Sequence, residues 1–231
     1  MFATAKRWAR GLSAMGRLVR NAKDTQAVFV IKTSLSTKAF HRHLERWRTT
    51  EVGRRVLDQR SSLLPILNDI DTLQAMPYGS LGKLYSIYLI EAGLTQQGLA
   101  DVSDLPDGQS DFELFVNRYR DMHDLCHAVT RYRRDPLGEV CQQGFDHAQD
   151  PNAGTALIWI VGTISQAIAL RTIKVFAISW EARRMGKSSK RFIDADWEAL
   201  LPLPMAAVRN KLQVRKADRY QNWVNKRLRA V

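Results

Sequence analysis

The segment Asp121-Met122-His123-Asp124-Leu125-Cys126-His127 concentrates side chains able to do chemistry. Two histidines four apart on a helix share one face, so the imidazoles of His123 and His127 can converge on one ion. Asp124 adds a carboxylate beside the first, able either to ligate or to orient an imidazole. The same spacing occurs in solvated and hydrogen-bonded histidine pairs, so the pair alone does not define a metal site. Glu139 follows His127 by a stretch that on a straight helix would span roughly 18 Å, out of reach of the same ion. Asp135-Pro136 changes that geometry, because Asp suits an N-cap and Pro the first helical turn. The chain can fold back there and bring Glu139 opposite the histidines. Two neutral imidazoles and two carboxylates balance a divalent cation, and this set suits Zn²⁺, with Fe²⁺ or Mn²⁺ as alternatives.

The elements that must position these groups are helices. Helical spacing recurs along the chain, as in Phe40, Leu44, Trp47 and again in Leu81, Leu84, Tyr85, Tyr88, Leu89, whereas strand-like alternation is scarce. Breaks fall at Met76 to Gly79, Ser103 to Ser110, Asp135-Pro136, Asp150 to Gly154 and Gly186 to Ser189. None is long enough for an interdomain linker. The expectation is an all-α fold: a single multi-helix domain over 1–231, with a central apolar helix and a metal site on adjacent helices. With 231 residues, 45% of them hydrophobic, the chain can bury a sizeable core. Cys126 and Cys141 are too few for a disulfide framework or a four-thiolate zinc site.

Lys plus Arg number 35 against 23 Asp plus Glu, and the net charge of +12 points to anionic partners. The basic residues are spread over several helices without a recognition motif, which argues against nucleic-acid binding. The N-terminal stretch places Trp8, Leu12, Met15 and Val19 on one helical face and Lys6, Arg10, Arg17 and Arg20 on the other. Such a helix docks either on an anionic membrane or on the domain's own core. Ala153 to Leu170 carries no charge but is only at the lower length limit for a membrane span. A buried central helix is the expected reading, with the lining of an apolar lipid tunnel as the alternative.

The pattern His123-Asp124, two residues, His127, eleven residues, Glu139 resembles the metal-binding signature of the coenzyme Q biosynthesis protein 4 family. Gly79-Ser80-Leu81-Gly82-Lys83-Leu84-Tyr85 is similar to that family's Gly-[Ser/Thr]-Leu-Gly-x-x-Tyr segment, and Leu137-Gly138-Glu139 to its Leu-Gly-Glu. Trp197-Glu198 through Pro204 and Arg209 resembles its C-terminal stretch, so the likeness runs from near Met15 to about Leu212. The basic run Ala128-Val129-Thr130-Arg131-Tyr132-Arg133-Arg134 departs from the family pattern and bears on partner or headgroup contacts. The early start of the likeness leaves little room for a cleavable presequence, which favours a bacterial member over a mitochondrial precursor.

The resemblance implies an all-α peripheral membrane protein of ubiquinone synthesis, working as a homodimer with other ubiquinone-biosynthesis proteins. It would sit on the cytoplasmic face of a bacterial inner membrane, or on the matrix side of the mitochondrial one. The implied reaction is metal-dependent removal of the ring carboxylate from a polyprenylated 4-hydroxybenzoate, with hydroxylation at that carbon in the oxidative version. The implied ligands are His123, Asp124, His127 and Glu139. Arg120, three residues before His123, is the candidate to pair the substrate carboxylate; as an alternative it is an exposed helix arginine. Tyr85 borders the pocket by family likeness, or is a core aromatic.

Two other functions compete. One is a non-catalytic scaffold or prenyl-lipid carrier in which the metal is structural. The other is a helical metallophosphohydrolase, which needs an upstream His and a downstream Asp that His41, His43 and Asp146 supply poorly. His41 and His43 face different ways and read as surface groups. His147 is at best an outer partner of the metal, and Cys126 reads as a buried inert thiol. The only glycine-rich stretch, Gly79 to Gly82, is too short for a nucleotide fingerprint.

Overall fold

The structure, a computed structural model, describes residues 2–21, 24–93 and 110–229. The expected polar break at Ser103 to Ser110 lies outside the described residues apart from Ser110. Among those residues every regular element is helical, as the sequence predicts, and an isolated antiparallel bridge pairs Ser80 with Pro204. In chain order the helices are α1 (Phe2–Arg20), α2 (Thr25–Arg48), α3 (Glu51–Gln59), α4 (Leu64–Asn68), α5 (Ile70–Ala75), α6 (Leu81–Ala92) and α7 (Asp111–Asp121). There follow α8 (His123–Thr130), α9 (Pro136–Gln149), α10 (Ala153–Ala169), α11 (Lys174–Ser188), α12 (Trp197–Leu200), α13 (Met205–Lys211) and α14 (Asp218–Leu228), with a 3-10 turn at Phe192–Asp194. The chain divides into two compact units: residues 1–39, 130–189 and 215–231 form the first, and 40–129 with 190–214 the second.

In the first unit α9 packs on both α10 and α11, and small residues permit the approach. A Cβ at Gly144 would lie 2.7 Å from the Trp159 indole nitrogen, and one at Gly186 only 2.4 Å from the Phe145 carbonyl oxygen. Gly186 is therefore a packing glycine inside the helix, and the break expected over Gly186 to Ser189 falls at its far end, where α11 stops at Ser188. Ala14 and Met15 of α1, Ala27 and Ile31 of α2 and Ile158 of α10 form an apolar cluster. Beneath it α9 carries a buried polar network. Thr130 donates to Gln142 Oε1 at 2.9 Å, Gln142 donates to Asp146 at 2.8 Å, and Lys32 lies 4.0 Å from Asp146.

One expectation about an apolar segment needs correction, and another, that the first helix docks on the domain's own core, is met through only part of its apolar stripe. The helix at Ala153–Ala169 exists but is only half buried, with Ile158 inside and Ile160, Ile164 and Ile168 exposed. In α1, Met15 is buried, whereas Trp8, Leu12 and Val19 from the same apolar stripe are exposed. The helix instead beds on the neighbouring arc of Ala14 and Met15, where Gly11 lets Leu35 come close. Among the described residues no helix is long and apolar enough to cross a membrane.

The second unit is built on aromatic side chains, and its two fully buried indoles are hydrogen-bonded. Trp47 donates to the Ile193 carbonyl at 2.9 Å and Trp197 to that of Phe192 at 3.0 Å, while Phe40, Phe115 and Tyr119 meet edge to face or tilted. The segment Gly79-Ser80-Leu81-Gly82 opens α6. Gly79 takes a left-handed φ of 77°, and Ser80 caps the helix by accepting from Lys83 N. Leu81 N and Gly82 N donate to the carbonyls of Leu203 and Leu201, and Met205 N donates to that of Gly79. A Cβ at Gly82 would press into Met76 Sδ at 2.3 Å. The segment is thus a structural clasp between the start of α6 and the Leu201–Met205 stretch.

Candidate metal centre

Helix α7 starts with a capping box, in which Ser110 Oγ accepts from Glu113 N and Glu113 accepts from Ser110 N. Its buried Arg118 donates through both terminal nitrogens to Glu198 at 2.9 Å. The helix yields at Met122, and α8 begins at His123. Arg209 donates to the carbonyls of Val129 at 2.8 Å and Ala128 at 3.0 Å. These are orphan acceptors of the last turn of α8, where a cation also complements the helix dipole. Arg209, singled out in the sequence by resemblance, thereby fixes the helix that bears the two histidines.

The turn into α9 is built as the Asp135-Pro136 pair predicts. Asp135 Oδ1 accepts from Leu137 N and Gly138 N, both at 3.1 Å, and Pro136 occupies the first helical position. The Tyr220 hydroxyl clamps the turn, donating to Asp135 Oδ2 and accepting from Arg133 N at 3.0 Å. Gly138 is required here, since a Cβ would lie 1.9 Å from the Arg133 carbonyl oxygen. The Leu-Gly-Glu segment therefore brings Glu139 into the first turn of α9, directly after a tight reversal. Tyr220 was missed at the sequence level; nothing in its own surroundings marks it.

His123, His127 and Glu139 each offer one ligand atom, and those atoms lie within 4.8 Å of one another. The two imidazoles meet edge to face with their Nε2 atoms 3.2 Å apart. Two Zn–N bonds of about 2.0–2.1 Å at a tetrahedral angle would set the nitrogens about 3.3 Å apart, close to what is observed. His127 is buried, while His123 and Glu139 are partly accessible, so the group combines a firm anchor with an approach from outside. Glu139 Oε1 also lies 3.8 Å from the Arg134 guanidinium. The donor set fits a divalent cation of the Zn²⁺, Fe²⁺ or Mn²⁺ kind.

The other expected residues are placed as follows. Asp124 is buried on α8 and lies outside the group of three. Arg120 is buried, not an exposed helix arginine, and its Nε and Nη2 reach Asp121 Oδ1 at 2.8 and 2.7 Å. Burial pushes the Asp121 carboxyl above its ordinary range, opposed by the Arg120 charge. Tyr85 is fully buried on α6. Cys126 is buried, as expected, and His41 is exposed and stacks on Phe112. Gln143 was not foreseen. It stands one turn after Glu139 on the same face of α9, buried, with an amide oxygen that has no hydrogen-bond partner. His147 follows one turn later, and burial, aided by the charge of Arg183, lowers its pKa.

Residues 3–218 match the family described as coenzyme Q (ubiquinone) biosynthesis protein Coq4. A protein of Phaeosphaeria nodorum named ubiquinone biosynthesis protein COQ4, mitochondrial, is 28% identical over 174 residues, covering 74% of this chain and 58% of the relative. The chain thus spans less than two thirds of that relative's length. A Nematostella vectensis protein named as the mitochondrial COQ4 homolog is 23% identical over 78% of this chain and 87% of its own. In fold, the chain is similar to a crystal structure from Nostoc punctiforme with a TM-score of 0.70, at 18% identity and covering 88% of this chain and 96% of that one.

Proposed function

Because the chain belongs to the coenzyme Q (ubiquinone) biosynthesis protein Coq4 family, we propose that it removes the ring carboxylate from a polyprenylated 4-hydroxybenzoate intermediate of ubiquinone synthesis. The observation that carries this reading is the convergence of His123, His127 and Glu139. We assign those three as ligands of one divalent ion, with Asp124 as a fourth ligand or as a group orienting an imidazole. When bound, the ion supplies Lewis acidity to a carboxylate or phenolic oxygen and stabilises the charge that develops as the carboxyl leaves.

The chain's own residues supply the rest. The buried Arg120–Asp121 pair sits just before His123, and Arg120 is the candidate to hold the substrate carboxylate. Gln143 offers an unused amide oxygen one turn from Glu139, suited to accept from the ring hydroxyl. Tyr85, buried on α6, is by family likeness the candidate to border the substrate ring. In the protonative version the bond from ring carbon to carboxyl breaks, carbon dioxide leaves and a proton takes its place. The oxidative version also releases carbon dioxide and places a hydroxyl there, with its oxygen from water and two electrons passed to an external oxidant such as dioxygen.

The test is a mass-spectrometric assay for the decarboxylated, or decarboxylated and hydroxylated, ring, run on metal-stripped and metal-reloaded protein. Product that vanishes on stripping and returns with Zn²⁺, Fe²⁺ or Mn²⁺ supports the reading. A metal-loaded protein that binds the prenylated ring acid without turning it over instead supports a scaffold or lipid-binding role beside other enzymes of the pathway.

A further inference from the structure

Helices α10 and α11 expose apolar side chains along one continuous face. Ile160, Ile164 and Ile168 repeat every fourth residue on α10, and Phe176 and Trp180 do so on α11. Ile173, in the connection between the helices, is 83% exposed and Ile168 is 72% exposed, values far from those of a core. Helical geometry shows that these residues adjoin. On α10, Trp159 and Thr163 meet Ser179 of α11, whereas Leu157 and Val161 pack on the cluster that holds Met15 of α1. At 100° per residue, Ile160 and Ile164 fall on the arc between those two sides and so face outward between α11 and α1. Trp180 continues the face, its ring stacked on Trp159 with centroids 6.2 Å apart. Beyond α10, the half-exposed Trp8, Leu12 and Val19 of α1 lie beside the buried Met15. An exposed apolar surface of this extent marks an interaction site.

Charge identifies the occupant. From Pro151 through Trp180 the chain has no Asp or Glu. Arg171 and Lys174 stand exposed at the connection, Arg171 in the left-handed region at φ 50°, and the Arg183 guanidinium lies 5.0 Å from the Trp180 ring centroid. A two-fold contact between copies would set this face against itself, cations facing cations with no carboxylate from this stretch to pair them. An anionic bilayer has the complementary make-up: an apolar interior for the isoleucines and phosphates for the basic rim, with tryptophan suited to the boundary.

We propose that the α10–α11 hairpin is the face on which the protein rests on an anionic lipid bilayer, with Ile164, Ile168, Ile173 and Phe176 entering the acyl boundary and Arg171 and Lys174 contacting headgroups. The basic face of α1, one of the two docking alternatives the sequence left open for that helix, is the competing anchor. The proposal deepens the reading of a prenylated substrate, and rests on that reading for its purpose. His147 stacks on Trp159, and the same side of α9 carries Gln143 and Glu139. Eight residues of helix, about 12 Å, separate the aromatic edge of the lipid-facing surface from the assigned metal ligand.

The experiment is co-sedimentation of the full chain with vesicles of phosphatidylcholine alone or mixed with phosphatidylglycerol, with mass measured by analytical ultracentrifugation. It reads no turnover, so its result is independent of the decarboxylase assignment. Ile164→Glu with Ile168→Glu should weaken partitioning onto the mixed vesicles about tenfold or more at unchanged helix content, since those side chains lose their burial. Arg171→Gln with Lys174→Gln should remove most of the preference for the anionic lipid while leaving mass unchanged. Three results overturn the proposal: unimpaired binding by both double variants with loss on changing Lys6, Arg10, Arg17 and Arg20 to Gln; no binding by the unaltered chain; or a fall from dimer to monomer in the isoleucine variant with vesicle binding intact.

Discussion

Helices α7 to α9 and the hairpin of α10 and α11 distribute polarity in opposite ways. The first region buries Arg118, Arg120, Asp121, Asp124, His127, Gln142, Gln143 and Asp146. The second is the most apolar part of the chain, yet it leaves Ile160, Ile164, Ile168, Ile173, Phe176 and Trp180 exposed. Burying charge is costly unless each group is paired or held for a purpose, and exposing large apolar groups forgoes the main stabilising term of folding. Where a protein does both, stability is not what the arrangement serves. The contrast supports the proposed chemistry among the buried polar groups and the proposed contact with lipid at the exposed apolar ones.

The change that should break this comparison most severely is Gly138→Ala. The added Cβ cannot coexist with the Arg133 carbonyl, so the turn that delivers Glu139 must open. The expected cost is at least about 1–3 kcal/mol of stability, read by thermal unfolding, with loss of metal binding. His127→Ala comes next: metal affinity should fall well beyond the roughly 10–100-fold typical of an outer-sphere change, with helix content kept by circular dichroism. Normal metal content in that variant would remove His127 from the site.

Smaller changes sharpen the contrast. Ile158→Ala, in the buried cluster, should cost about 2–4 kcal/mol, whereas Ile168→Ala on the same helix should stay within about 0.5 kcal/mol in chemical denaturation. Equal losses at both positions would show that the hairpin face is covered in solution. Tyr220→Phe removes one hydroxyl from the turn and leaves the chain's packing in place, so metal affinity should drop about tenfold with folding largely preserved.

Local signals made much of the site legible. The His123/His127 spacing and the Asp135-Pro136 start of α9 depend on neighbours in sequence, and the structure reproduces both. Gly138 was visible as part of a motif, but its reason, the approach of the Arg133 carbonyl, requires the folded turn. What periodicity could not supply was which apolar face is covered. Trp8, Leu12 and Val19 share a stripe with Met15, and Ile160 shares a helix with Ile158, yet only Met15 and Ile158 are buried. Hydropathy ranks a side chain's preference for leaving water, not whether another element arrives to cover it. The break expected over Gly186 to Ser189 is present at Ser189, but Gly186 itself serves close packing, because glycine's conformational freedom and its small size look alike in sequence.

The central claim, that His123, His127 and Glu139 together hold one divalent ion, is tested most directly by elemental analysis and calorimetric titration of the purified chain beside Glu139→Gln. The substitution keeps the shape of the side chain and removes its charge. The account predicts one ion per chain in the unaltered protein and clearly weaker binding in the variant. Equal stoichiometry and equal affinity in the two proteins would contradict it.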